Sequence, residues 1–264
     1  MEQNDIKNEQ EVLEPVKAEE IVKVIKKEEK KEWMLPASIV FAAIVIAAAF
    51  IYASGMETSG PAAVNQALEE KAPEITERDT VLGNPNAQVT IVDYGDFQCP
   101  YCGKFYNDIE PFIRSEFIDT GKAKIVYKPL SFLGPESEAA AVAVECARDQ
   151  GKFWEMHDGI FAEEYKEVEK MIAGTIASSE HNGNLNLALF QKIGKGFGLD
   201  QTAFTTCFNS GDKDAVIAQH MQDGQDVMGQ GLSTPSIYIN GKSIEPSVWS
   251  NKQALTTLIN GLIK

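Results

Sequence analysis

The chain has 264 residues, 44% of them hydrophobic, and a formal net charge of −15. That length holds one sizeable globular domain plus further segments. The acidic balance excludes nucleic acid as an expected partner, because phosphate recognition needs clustered Lys and Arg.

Residues 1–32 carry seven Lys, ten Asp or Glu and no aromatic side chain. Such a composition buries no core and reads as a charged, solvated tail on the cytoplasmic side. From Trp33 to Met56 no residue is charged, and the centre of that stretch, LPASIVFAAIVIAAAFIYA, is nearly all apolar. A bilayer span needs about 20 such residues, so 33–56 is expected to be a single transmembrane anchor. Six Lys lie between positions 17 and 34, against only Lys71 in the 20 residues after the span. The positive-inside rule then leaves the N-terminus in the cytoplasm and the rest outside the cell membrane. A cleaved signal peptide is the rival reading. The long charged region ahead of the apolar core and the poor cleavage site at Ile51-Tyr52-Ala53 favour an uncleaved anchor. Residues 57–79 read as a stalk.

The outer domain is expected over 80–264. Leu82-Gly83-Asn84-Pro85 is a turn-rich entry. Gln88–Tyr94 is a β-branched, apolar strand leading to Cys99-Pro100-Tyr101-Cys102. Pro100 suits the first turn of a helix, so a helix is expected from Pro100 to about Phe117, kinked at Pro111. A second strand is expected at Ala123–Lys128. Helices follow at Ser137–Gly151, Phe153–Ala162, Asn184–Ile193, Asp200–Phe208 and Lys213–Met228, making a helical insertion at about 135–230. Thr234-Pro235 precedes a strand at Ser236–Asn240, a turn at Asn240-Gly241, a returning strand at Lys242–Ile244 and a terminal helix at Trp249–Ile263.

Two cysteines one helical turn apart, at a helix N-terminus fed by a strand, form a redox arrangement. Backbone N–H groups and the helix dipole favour the Cys99 thiolate, and Cys102 is close enough to close a disulfide with it. A zinc half-site is the alternative, but it needs a second close ligand pair. The remaining cysteines, Cys146 and Cys207, are far apart in the chain, and His157, His181 and His220 are scattered. No metal and no cofactor are expected.

Three stretches, DFQCPYC (96–102), ECARDQGKFWEMHDGIF (145–161) and GLSTPSIYINGK (231–242), resemble the DsbA-type family of thiol–disulfide oxidoreductases. The resemblance covers most of 80–264. It implies an α/β thioredoxin fold with an inserted helical subdomain, here behind one N-terminal transmembrane helix. It further implies that Cys99 is the nucleophile, that Cys102 resolves the mixed disulfide, and that Pro235 is cis and faces them. The Thr234 backbone would then pair with extended substrate, and Pro100 and Tyr101 would also border it. Asp93, six residues before Cys99, is expected beneath the pair as the proton acceptor for Cys102. Cys146 and Cys207 either form a structural disulfide or stand as two separate buried thiols; the disulfide is the expectation. The Phe153-Trp154, Met156 and Phe161 cluster is expected in the core. Phe97, Tyr101, Phe105 and Phe132 are candidates for apolar surface that meets substrate. The expected function is oxidation of cysteines in exported, unfolded proteins, with reoxidation by a quinone-linked membrane protein of the DsbB or VKOR type. A reductase or isomerase, or a non-catalytic peptide-binding chaperone or adaptor, are the alternatives.

Overall fold

A computed structural model describes residues 71–229 and 231–263. The tail expected at 1–32, the membrane span expected at 33–56 and most of the stalk expected at 57–79 lie outside them. Among the described residues no helix is long and apolar enough to cross a membrane.

Five strands make one sheet: β1 (Val81–Gly83), β2 (Val89–Gly95), β3 (Ala123–Pro129), β4 (Ser236–Ile239) and β5 (Lys242–Ile244). Their order is β1-β3-β2-β4-β5. β2 pairs parallel with β3 and antiparallel with β4. As the middle strand, β2 buries every residue of VTIVDYG except Thr90. Its side chains alternate between faces. Val89 and Ile91 enter the larger core with Cys102, Phe105 and Phe161, while Val92 and Tyr94 pack with Leu130 and Tyr238 on the opposite face. Asp93 therefore projects with the first set, beside its register partner Tyr127.

The helices are α1 (Pro100–Asp108), α2 (Glu110–Ile113), α3 (Pro135–Arg148), α4 (Phe153–Ile172), α5 (Leu187–Gly196), α6 (Gln201–Ser210), α7 (Asp214–Met228), α8 (Pro246–Trp249) and α9 (Lys252–Leu262). Helices α3 to α7 are the insertion between β3 and β4. Helix α3 starts on Pro135, carries Glu136 and Glu138 in its first turn and ends on Arg148, the charge order that complements a helix dipole. Cys146 of α3 and Cys207 of α6 are joined by a disulfide. Phe153, Trp154, Met156 and Phe161 lie in the core.

The structure departs from the sequence expectations at several places. The helix from Pro100 breaks at Ile109, two residues before Pro111, and resumes as α2 and one π-helical turn at Arg114–Ile118. Pro111 has no N–H for the carbonyl four residues back, so the break falls in the turn before it. The expected turn at 82–85 overlaps the end of strand β1, whose three residues are too few to show a period. Helix α4 runs ten residues beyond Ala162, because Glu164 and Val168 continue its buried stripe. The expected terminal helix is two helices, since the Asn251 side chain accepts the N–H groups of Gln253 and Ala254 and caps α9. Residues 71–79, read as stalk, are tied to the domain. Lys71 pairs with Asp226 at 2.5 Å, and Asp79 pairs with the fully buried Lys128 at 2.8 Å.

Candidate active site

Strand β2 ends at Gly95, and a short turn delivers Cys99 to the N-cap of α1, with Pro100 at its first turn. The Cys99 N–H donates to the Asp96 carbonyl, and the Gly103 N–H donates to the Cys99 carbonyl, both at 3.0 Å. The Asp96 carboxylate holds this turn. It accepts the Gln98 N–H at 2.9 Å, the Ser137 hydroxyl at 2.5 Å and the Leu133 N–H at 3.1 Å. Gln98 donates to the Ser137 hydroxyl oxygen at 2.9 Å and accepts the His181 N–H at 2.8 Å. The residue before the cysteine is thus fixed by α3 and by the loop after α4. Gln98, Ser137 and His181 carry no local sequence signal for this role, since the partners lie 39 and 83 residues apart.

Cys99 and Cys102 are free and buried. The Cys99 thiol is lowered to about 7, chiefly by a hydrogen bond from Cys102, then by the Thr234 side chain and the N–H groups of Cys102 and Tyr101, against the opposing effect of burial. Burial pushes Cys102 up, and the hydrogen bond to Cys99 and the charges of Cys99 and Asp93 add to that. The pair is therefore asymmetric: one thiol ionises near neutrality and its partner keeps its proton.

The Thr234–Pro235 bond is cis. Cys99 Sγ lies 3.4 Å from the Thr234 carbonyl oxygen, which brings Cys99 and the Thr-Pro loop into contact across 135 residues. Tyr101, between the cysteines, is 68% exposed, and Phe132, beside the Leu133 that bonds Asp96, is 37% exposed, so these two apolar candidates reach the surface. Phe97 and Phe105 are buried in the core and are not substrate surface. The Phe97 ring packs tilted against Phe161 at 4.8 Å and Phe105 meets Trp249 edge-on at 5.4 Å.

Asp93 is buried, and its Oδ1 has no hydrogen-bond partner among the described residues. Burial raises its carboxyl well above the usual carboxylate range, with the charges of Glu110 and Cys99 adding to the effect. Asp93 therefore takes up a proton more readily than an ordinary carboxylate. Glu110 itself lies in a partly buried ion-pair chain. Arg114 donates to Glu110 Oε1 at 2.8 and 2.6 Å and to Asp158 at 2.7 and 2.6 Å, and His157 Nδ1 is 2.9 Å from Asp158 Oδ1. Glu110, His157 and Asp158 are close enough together to suggest cation ligands. The Arg114 guanidinium already bonds both carboxylates, so the donor set fits an ion-pair network instead.

A family model described as thioredoxin matches residues 75–259. Disulfide bond formation protein D of Bacillus subtilis is 31% identical over 171 residues, which are 62% of this chain and 69% of that protein. A Na(+)/H(+) antiporter NhaA 1 of Salinispora arenicola is 33% identical over 172 residues, 63% of this chain but only 22% of the antiporter. This chain thus spans about a fifth of the antiporter's length. Among solved structures, oxidised BdbD from Bacillus subtilis superposes with a TM-score of 0.60 at 26% identity, covering 73% of this chain and 96% of that one.

Proposed function

The chain belongs to the DsbA-like family of thioredoxin-fold thiol–disulfide oxidoreductases, and on that premise we propose that it oxidises the cysteines of exported proteins through a Cys99–Cys102 dithiol/disulfide centre. The observation that carries the reading is the asymmetric pair at the head of α1, with Cys99 lowered to about 7 and touching the Thr234 carbonyl. A substrate thiolate attacks Cys99 Sγ, a mixed disulfide forms, and Cys102 leaves. A second substrate thiolate then attacks the substrate sulfur and releases Cys99. The substrate gains a disulfide and the enzyme becomes the dithiol. Stabilising the Cys99 thiolate favours that reduced form and makes the disulfide form an oxidant. Extended substrate would pair with the Thr234 backbone beside Pro235, between Pro100-Tyr101 and the cis-proline loop.

One observation favours the reverse direction as a second reading. Low-pKa cysteines of this kind span roughly 3.5–7.5, and Cys99, at about 7, stands near the top of that range. A centre of this kind oxidises mildly and also supports reduction or isomerisation.

The proposed location, a single-pass membrane anchor with the catalytic domain outside, has three supports. The uncharged stretch 33–56 is long enough for a single-pass anchor, the Lys distribution orients its N-terminus to the cytoplasm, and the Cys146–Cys207 disulfide suits an oxidising exterior. The dithiol would be reoxidised by a quinone-linked membrane protein of the DsbB or VKOR type, whose encounter the anchor favours. The test is oxidative refolding of a reduced, disulfide-containing protein by the full chain. Recovery of native substrate that is lost in Cys99→Ser is expected. Equal recovery with both proteins would overturn the reading, and recovery only from scrambled, already oxidised substrate would favour the second.

A further inference from the structure

The Tyr127 hydroxyl is buried and has no hydrogen-bond partner among the described residues. A buried, unpaired O–H is costly, and phenylalanine would fill the same space without it. The backbone nevertheless makes room for this group. A Cβ on Gly95 would stand 2.6 Å from Tyr127 Cε2 and 2.9 Å from its oxygen. The phenol oxygen therefore lies against the end of β2, in the short stretch that joins Asp93 to the cysteines. Asp93 and Tyr127 are register partners on neighbouring strands, and Asp93 Oδ1 is itself unpaired among the described residues. After burial, the groups that act most strongly on the phenol are Cys102 and Asp93, then Asp96 and Cys99. From the other packed elements, α4 brings the His157 ring to 4.5 Å and α2 brings Glu110 to bear on Asp93. Arg114 is committed to Glu110 and Asp158, and β4 sets Ile237 opposite Asp93.

We propose that Tyr127 is a positioning residue of the redox centre: its hydroxyl, unpaired among the described residues, turns to donate a hydrogen bond when Asp93 or Cys102 becomes negatively charged. The proposal rests on reading Cys99–Cys102 as a dithiol/disulfide centre. The relevant step is closure of that disulfide. The Cys99 thiolate attacks an external disulfide such as glutathione disulfide, so that a Cys99–glutathione bond forms and one glutathione thiolate leaves. Cys102 passes its proton to Asp93 and attacks Cys99 Sγ. The Cys99–Cys102 bond forms, the Cys99–glutathione bond breaks and the second glutathione leaves as thiolate. The dithiol has lost two electrons, and glutathione disulfide has been reduced to two glutathiones. Tyr127 keeps its own proton throughout and steadies the anion as the charge passes from Asp93 to Cys102.

The experiment follows the reduced full chain with glutathione disulfide by rapid mixing, acid quench and mass spectrometry, across pH. In Tyr127→Phe the closure step is expected to be about tenfold slower at neutral pH, the worth of a hydrogen bond to a charged group. Its pH profile moves to higher pH, while formation of the mixed disulfide is unchanged. Tyr94→Phe removes another unpaired buried hydroxyl, on the opposite face of the sheet, and leaves the profile in place. Gly95→Ala displaces the Tyr127 hydroxyl and shifts the profile in the same direction, which keeps the test decisive if Tyr127→Phe does not fold. A wild-type profile in the folded Tyr127 or Gly95 variant, or an equal shift in Tyr94→Phe, overturns the proposal. If the wild-type protein never closes Cys99–Cys102, the redox reading falls and the proposal falls with it.

Discussion

At the scale of single residues, the site works by dividing two like thiols into unlike ones. Cys99 meets N–H donors at a helix start, and Cys102 is one turn deeper, where burial penalises charge. Burial raises the Asp93 carboxyl well above the usual carboxylate range, which makes its carboxylate a stronger base and the group suited by chemistry to exchange a proton with Cys102. Removing it leaves Cys102 without a local base. Asp93→Asn is expected to slow closure of Cys99–Cys102 by about 100-fold or more, the usual worth of a general base, and to remove the Asp93 titration from its pH dependence. Single-turnover closure rates measured across pH check this, and an unchanged profile would remove Asp93 from the mechanism. Asp96 lies three residues on and has a different task. Its carboxylate accepts from Gln98, Ser137 and Leu133, which makes it the clasp of the turn.

At the scale of elements, two buried charges set the stability of the scaffold. Lys128 of β3 is fully buried between Asp79, at 2.8 Å, and Asp223 of α7, at 3.3 Å. It joins the chain entering the domain to the sheet and to the insertion. Removing one partner from such a group strands the others, at about 3–5 kcal/mol. Lys128→Met is expected to lower unfolding stability by that order in chemical denaturation. Glu164 of α4 is raised to about 8 by burial, with Glu136 and Glu167 adding, although Asn184 donates to it. A carboxyl raised in the folded state favours folding while protonated. Its contribution is full below about 4.5 and is lost as pH rises through about 8. The thermal midpoint should therefore fall between pH 5 and 8 (about the window between those two values). Glu164→Gln should remove most of that fall, and a midpoint that falls equally in the variant would contradict the assignment.

At the scale of the whole molecule, the insertion is closed on itself by the Cys146–Cys207 bond across 61 residues. Loop-closure entropy puts its contribution near 4 kcal/mol, so Cys146→Ser with Cys207→Ser should unfold at lower denaturant by about that amount while Cys99 and Cys102 stay reactive. Features visible at short range were legible in the chain: the apolar strand before Cys-Pro-Tyr-Cys, the Ala-rich helix after Gly134-Pro135, and Thr-Pro ahead of an alternating strand. The remainder was set by tertiary contacts. The three-residue strand β1 exists because β3 offers it an edge. Nothing in the strand Ala123–Lys128 announces that Lys128 is buried, which follows only from its enclosure by Asp79 and Asp223. Gln98, Ser137 and His181 meet only because the insertion folds back over the head of α1. The Tyr127 hydroxyl acquires meaning only once Gly95 is seen to admit it. Phe97 and Phe105 follow the same rule, since nearness in sequence to the cysteines did not keep them at the surface.

The central claim is that Cys99 alone presents a thiolate near neutral pH while Cys102 stays protonated behind it. It is tested most directly by alkylating the reduced protein across pH and locating the label by mass spectrometry. The predicted result is modification at Cys99 only, with a rate midpoint at about 7. A midpoint near the ordinary thiol value, or label arriving on Cys102 at a comparable rate, would contradict it.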